Sequence, residues 1–169
     1  EMLVELNLLN HQNEFKQEFL FCVGLTETFK ELMKGYKPEK RLDPLFESLC
    51  KSTNFEANVI KEISQKFQEE LKDKSTKDIL KLLKEKSNTK IYPSRILNLG
   101  IYLLISGCQD YQEKSESDKN KMIADIFEES NLSFDKAEKD IGIYKSSITK
   151  MEQAKELIQE LRIKDNKKD

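Results

Sequence analysis

Histidine occurs once in this sequence, tryptophan not at all, proline three times and glycine five times in 169 residues. So few glycines and prolines exclude a turn-rich β-sandwich or barrel, which needs them at many corners. A single histidine leaves no imidazole pair for zinc, and His11 would have to serve alone in any Ser-His-Asp or Cys-His mechanism. It lies between two helical patterns and reads as a surface-loop residue. Cysteine is scarce too. Cys22, Cys50 and Cys108 are odd in number, far apart and flanked by apolar residues, which fits neither a disulfide framework nor a CxxC metal site. They read as small buried hydrophobes in a reducing compartment. The missing tryptophan excludes nothing.

Motifs of chemistry are missing as well. No GxGxxG or GxxxxGKS/T run offers a glycine-built phosphate cradle, and no Glu-x-x-His supplies a di-iron bundle. The adjacent pairs Glu69-Glu70 and Glu128-Glu129 fall within helical patterns, where neighbours diverge, so neither is a shared-proton dyad. No catalytic residue, metal-ligand set or cofactor motif follows from the sequence. An excess of charge of one sign is also lacking. Twenty-nine basic and 31 acidic residues leave a net charge of −2, which argues against a general nucleic-acid binder. The charge is unevenly spread, however. Residues 61–90 carry three more positive than negative charges, and residues 110–140 five more negative than positive. Such stretches are either solvated helix faces or a polar docking surface.

Long hydrophobic runs are absent, and the longest one present is informative. IYPSRILNLGIYLLISG (91–107) is interrupted from Ile96 to Ile105 only by Asn98 and Gly100. A run of about ten apolar residues is half of what a membrane-spanning helix needs, and Arg95 and Asp110 flank it. It is apolar nearly all round, the pattern of a helix enclosed by others. Gly100 weakens such a helix by about 1 kcal/mol relative to Ala, so a close helix–helix crossing is expected there. The chain opens at Glu1 without an initiator methionine and is read as a processed or partial form, so a targeting peptide cannot be argued either way.

What remains is helix throughout. Residues 2–9 read as the end of a helix. From Phe15, the positions Phe15, Phe19, Cys22, Thr26, Phe29 and Met33 mark one face, and Phe21, Leu25 and Leu32 a second, so this helix is expected to be buried on two sides. Gly35 ends it and Pro38 follows. Asp43-Pro44 reads as N-cap and first position of a short helix. Asn54 reads as the cap of the next, with Ile60, Ile63, Phe67 and Leu71 as its stripe. Ser75 and Asp78 form a capping-box-like start to a segment with Ile79, Leu82 and Leu83. Pro93 or Ser94 starts the apolar helix (94–106), Ser117 caps a helix with Met122, Ile123, Ile126 and Phe127, and Ser133 opens the longest helix (133–164). Its Phe134, Ala137, Ile141, Tyr144, Ile148 and Met151 follow a heptad pattern. The stripe then passes to Ala154, Leu157, Ile158 and Leu161, a drift that predicts packing on the domain's own body. The expectation is a single all-α domain (1–164) of seven or eight helices with a polar tail (165–169).

Two separated blocks of this sequence resemble the thylakoid formation proteins, also called photosystem II biogenesis proteins. The first runs VELNLLNHQNEFKQEFLFCVGLTETFKELMKGYKPEKRLDPLFESLCKS, matching at Val4, Glu5, Leu6, Gly24, Thr28, Gly35, Tyr36, Pro38 and Cys50 among others. The second comprises YPSRILNLGIYLLI, matching at Tyr92, Ser94, Arg95, Gly100 and Tyr102, and DIGIYKSSITKMEQAKELIQEL, matching at Asp140, Tyr144, Lys150, Met151, Gln153, Ala154 and Glu156. Residues 55–90 match in character only. The family usually carries a further N-terminal stretch before the first of these blocks. Gly24, Gly35, Tyr36, Pro38, Tyr92, Arg95, Gly100 and Tyr102 are read as a structural signature, with Gly35, Tyr36 and Pro38 forming a corner.

The resemblance implies a non-enzymatic, helical accessory factor for photosystem II biogenesis or repair, without a cofactor. It implies peripheral association with the cytoplasmic side of the thylakoid membrane, or the stromal side in a plastid. The implied partners are an FtsH-type protease complex and photosystem II assembly intermediates. Candidate contact residues are Lys77, Lys81 and Lys84 on a basic segment and Lys150, Gln153 and Glu156 on the last helix. The basic segment also suits a lipid-contacting protein that shapes thylakoids directly, which is the alternative reading.

Overall fold

The computed structural model describes residues 2–12, 15, 18–86 and 92–165, and every regular element among them is helical. Among the described residues nine α-helices follow one another: α1 (Met2–Asn10), α2 (Phe19–Leu32), α3 (Leu42–Ser52), α4 (Ala57–Leu71), α5 (Thr76–Lys86), α6 (Arg95–Gly107), α7 (Gln109–Gln112), α8 (Glu116–Glu129) and α9 (Phe134–Asp165). A 3-10 turn (Glu39–Arg41) precedes α3. The number exceeds the seven or eight expected because the four-residue α7 is too short to show a period.

The apolar run of residues 96–105 is the core helix its pattern demands. Ile96, Leu97, Leu99, Ile101 and Ile105 of α6 are all buried. Helix α2 makes the most extensive contact with it, and its residues 19–26 are buried without interruption. Helix α2 is buried on two sides and feeds two cores, but Cys22 and Phe29 side with Phe21 and Leu25 and not with Phe19. On one side Phe19 and Leu20 join Ile79, Leu83, Ile101, Ile105, Phe127 and Ala137. On the other, Phe21, Cys22 and Leu25 join Leu6, Leu9, Phe46, Cys50 and Ile60. Helix α4 lies across α2 through Ile60 and Ser64, and α9 covers α6.

Gly24 and Gly100 set the distance between the two central helices. A methyl carbon added at Gly100 would sit 2.4 Å from the Leu20 carbonyl oxygen, and one at Gly24 would sit 2.1 Å from that of Ile96. Real side chains do not approach a backbone oxygen so closely, so only hydrogen fits on either side of the crossing. This is the close approach that a glycine within the apolar run implies.

Local chemistry fixes several boundaries. The Ser94 hydroxyl accepts from Leu97 N–H at 3.1 Å and starts α6. Ser75 and Asp78 exchange hydrogen bonds, Ser75 N–H donating to the Asp78 carboxylate at 2.9 Å, so the capping box forms. Asp110 adds a second cap, accepting from Thr76 N–H at 3.1 Å and from its hydroxyl at 2.6 Å. Gly35 lies in the left-handed region at φ 81°, just past the end of α2, where a side chain would be strained.

Other boundaries differ from the expectation. Phe15 is not helical; it leaves the α2 pattern and packs edge-on against Phe21, 4.9 Å away. Asp43 and Pro44 lie inside the first turn of α3, because the preceding 3-10 turn moves the cap to Arg41; proline is tolerated there because first-turn N–H groups have no helical acceptor. Asn54 starts no helix. It is left-handed at φ 58° and closes α3 while Phe55 N–H returns to the Cys50 carbonyl, and Glu56 precedes α4. Ser115, not Ser117, caps α8, through Asp118 N–H. In α9, Phe134, Ala137, Ile141 and Tyr144 of the heptad pattern pack on the core as expected, and Ile148 and Met151 are half-buried. Beyond them Ala154, Leu157 and Ile158 are exposed, so the distal stripe does not turn onto the domain. The side chain of Leu161 and the tail from 166 lie outside the described residues.

Gly100→Ala should destabilise the fold by about 1–3 kcal/mol through overpacking against backbone. Gly142→Ala, where an added methyl meets nothing within 4 Å, should stabilise α9 by roughly 0.5–1 kcal/mol. Thermal denaturation of the two variants side by side checks both signs.

Candidate functional site

The three cysteines are buried and free. Burial pushes the Cys22 thiol up to about 12, and those of Cys50 and Cys108 up to about 11. A thiol so far from ionisation is no nucleophile at neutral pH. His11 sits just past α1 with its Nδ1 2.7 Å from the Asn7 carbonyl oxygen. Among the described residues no group of histidine, cysteine and carboxylate side chains could hold a metal ion. Glu69, Glu70, Glu128 and Glu129 are exposed on helix surfaces.

A polar junction ties α1, α6 and α9 together at the N-terminus of α6. The Arg95 Nε donates to Asp140 at 3.2 Å, and the Asn98 amide donates to the other Asp140 oxygen at 2.8 Å. From α1, Glu5 accepts the Ile96 N–H at 3.1 Å and comes within 4.0 Å of Arg95 Nε. Burial is the largest influence on Glu5 and raises its carboxyl above the ordinary value, although Ile96 and Arg95 pull it down. Nearby, Tyr102 meets Tyr144 edge-on at 6.2 Å, and the Lys145 ammonium lies 5.2 Å over the Tyr102 ring. Of the sequence-derived signature, Arg95, Gly24 and Gly100 are thereby given roles. Gly35 is reached by the Lys155 side chain of α9, whose ammonium donates to the Lys34 carbonyl oxygen at the end of α2. Tyr92 packs edge-on against Phe15 at 6.2 Å. The Lys37–Pro38 peptide is cis, and Tyr36 lies half-buried beside it.

The junction escaped the sequence reading as a unit. Glu5 and Ile96 are 91 residues apart, Arg95 and Asp140 45, and spacing carries no signal over such distances. One sign was available: Asn98 interrupts an apolar run, and a buried amide requires a partner.

The proposed contact residues fall on two separate surfaces. Lys77, Lys81 and Lys84 line a shallow groove with Leu80 and Glu85 on the outside of α5. Lys84 is already paired with Glu129 of α8 at 2.6 Å. Lys150, Gln153 and Glu156 are exposed along the distal part of α9, beside Leu157 and Ile158, which are 58% and 51% exposed. A larger hollow of about 480 Å³ lies between α2, α3 and α4, floored by Phe29, Met33, Leu42 and Phe46. The lysines on its rim are paired, Lys30 with Glu27 and Lys61 with Asp43.

Comparison with known proteins decides the family. The model of the thylakoid formation protein family matches residues 1–169. The chain belongs to this family. Protein Thf1 of Prochlorococcus marinus strain MIT 9312 is 77% identical over 168 residues, covering 99% of this chain and 84% of that protein. Protein Thf1 of Synechococcus sp. strain CC9605 is 36% identical, covering 95% of this chain and 75% of its own length. A solved structure of Psb29 superposes with a TM-score of 0.78 at 24% identity, over 98% of this chain and 84% of that one, which shows a shared fold. No helix among the described residues is long and apolar enough to cross a membrane, which leaves this thylakoid formation protein no helical span within them.

The raised Glu5 carboxyl has a consequence for stability. The folded protein holds a proton there more tightly than the unfolded chain, whose value is near the ordinary 4.5. Stability contributed at this position therefore falls as pH rises from about that value through the raised folded one. Glu5→Gln keeps an oxygen for Ile96 N–H and removes the buried charge. The variant should match or exceed the parent's stability at pH 7, and the advantage should vanish at pH 4, as read by urea unfolding at the two pH values.

Proposed function

We propose that this thylakoid formation protein acts by binding, as an accessory factor in photosystem II biogenesis or repair that stabilises an FtsH-type protease complex at the thylakoid membrane. The observation that supports this most is membership of the family over the whole chain. The chemistry agrees: thiols are held protonated by burial, and the exposed groups are helix faces suited to protein contacts. On this reading the protein works at the cytoplasmic side of the membrane. The distal part of α9 is the better candidate surface, because it combines exposed Leu157 and Ile158 with Lys150, Gln153 and Glu156. Interfaces draw their energy from such desolvated apolar centres with polar rims.

The second reading is direct lipid contact through α5, favoured by its outward-facing Lys77 and Lys81. Interfacial helices also need an apolar face to insert. Here Ile79 and Leu83 are committed to the core, at 1% and 0% exposure, so α5 offers charge without insertion.

The deciding experiment is affinity capture of the tagged, full-length protein from gently solubilised thylakoids, with mass spectrometry of the recovered partners. FtsH-type subunits should dominate and should be lost in Lys150→Glu/Leu157→Asp. The double variant Lys77→Glu/Lys81→Glu should retain them. Recovery of photosystem subunits without the protease would overturn the protease reading. Salt-sensitive sedimentation with anionic vesicles that fails in the α5 variant would favour the lipid reading instead.

A further inference from the structure

The outer surface of α9 divides by charge. At 3.6 residues per turn, Ala137, Ile141 and Tyr144 turn to the core, and Ile148, Met151 and Lys155 continue that line half-buried. The exposed residues fall on the two sides of the remaining arc. One side carries Asp135, Glu138, Glu152, Glu156 and Glu160, with Lys145 as its single cation among the described residues. That ammonium is turned over the Tyr102 ring at 5.2 Å. The other side carries Lys136, Lys139 and Lys150 together with the exposed aliphatic residues Ile143, Ala154 and Leu157. The carboxylate at its edge, Asp140, is taken by Arg95 and Asn98.

The lysines on this side are uncommitted. None of the three is in an ion pair among the described residues, whereas Lys30, Lys61, Lys66, Lys84 and Lys119 are each paired with a carboxylate. Exposed apolar groups and unpaired positive charge therefore share one side of the helix, and the acids are kept on the other. At one end this side is also concave, because Ile143 and Ser147 line an open recess with Met2 of α1 and Leu32 of α2.

Spacing selects the shape of what docks there. Ile143, Ser147, Lys150, Ala154 and Leu157 lie four, three, four and three residues apart, the repeat by which one helix lies along another. They form a second line on α9, beside the one that packs on the body. From Lys136 to Leu157 this side extends about 30 Å, at 1.5 Å per residue. Every regular element among the described residues is helical, so no strand edge is offered to an extended peptide. A membrane surface asks for a broad apolar face; this line is narrow, and Ser147 and Lys150 stand on it. Charge selects the chemistry. A lysine in such a line lays its stem along the contact and carries its ammonium to the rim, where opposite charge attracts and like charge repels the incoming element.

We propose that the lysine-bearing side of α9 receives an amphipathic helix of a protein partner, about 20 residues long, whose apolar stripe is bordered by carboxylates that pair with Lys136, Lys139 and Lys150. This rests on the reading of α9 as the contact surface and deepens it. The docking element is given a chemistry, and the contact moves to the side of Lys150 and Leu157, away from Glu156.

The test is a titration of the full chain with a labelled, idealised helical peptide of about 20 residues, followed by fluorescence anisotropy. The peptide has leucine at four-three spacing and glutamate on both borders; a sister peptide has lysine in place of each glutamate. Saturable micromolar binding is expected for the glutamate peptide, weakening about tenfold or more as salt rises from about 0.05 to about 0.5 M. The lysine peptide should bind about tenfold more weakly or worse. Lys139→Glu/Lys150→Glu should invert the preference, a gain for the lysine peptide that misfolding cannot produce. Glu138→Lys/Glu156→Lys, on the opposite side, should leave the preference as it is. Equal binding of the two peptides, no binding of either, or glutamate-peptide binding that survives the lysine reversals would overturn the proposal. Sedimentation with phosphatidylglycerol vesicles through the same lysines, without peptide binding, would overturn it in favour of lipid. If the peptide fails while FtsH-type subunits are still captured through α9, this inference falls alone. If the peptide binds and the capture fails, only the protease reading falls.

Discussion

Everything in this structure depends on how closely α2 and α6 approach. With hydrogen at Gly24 and Gly100, backbone meets backbone, and the flanking side chains of both helices are pushed outward into two cores. Larger residues at the crossing would part the helices and open a void along the contact, and close-packed interiors do not tolerate such voids cheaply. The cost is a helix weakened by glycine at its centre. Enclosure by α2, α5 and α9 offsets that weakness, since helices in proteins draw most of their stability from packing.

The second organising feature is polar. α9 is fastened near its start by Asp140, which takes Arg95 and Asn98 of α6, and further along by Lys155, which reaches the carbonyl end of α2. Cations at helix C-termini and carboxylates at N-termini both act on backbone groups that helices leave unpaired. Glu5 at Ile96 and Asp110 at Thr76 repeat the principle for α6 and α5. Apolar burial thus brings the helices together, and capping by distant side chains sets where each begins.

The helical architecture was readable because apolar spacing reports one face at a time. The burial of α2 on two sides, the enclosure of α6, the Ser75–Asp78 box and the heptad face up to Met151 all follow from short-range patterns. Boundaries were less readable where two residues competed for one role. Ser115 and Ser117 both suit an N-cap, and only the path of the chain after α7 selects Ser115. Asn54 suits both a cap and a left-handed turn, and the return of Phe55 to Cys50 decides for the turn. The junction of Glu5, Arg95, Asn98 and Asp140 is a product of tertiary structure, assembled from three distant segments. The exposed stripe of Ala154, Leu157 and Ile158 misled because an amphipathic pattern reports that a face wants covering, not what covers it.

The two fastenings of α9 also bear on the order in which the protein is made. Asp140, which takes Arg95 and Asn98, and Lys155, which reaches the end of α2, both come late in the chain, so a growing chain holds its central helix pair with one flank bare until that stretch has been synthesised. At about 5–20 residues per second, the interval between translation of α6 and of α9 lasts for seconds. During that time the most apolar surface in the molecule depends on its earlier helices alone, and burial of that surface is completed by the arrival of α9.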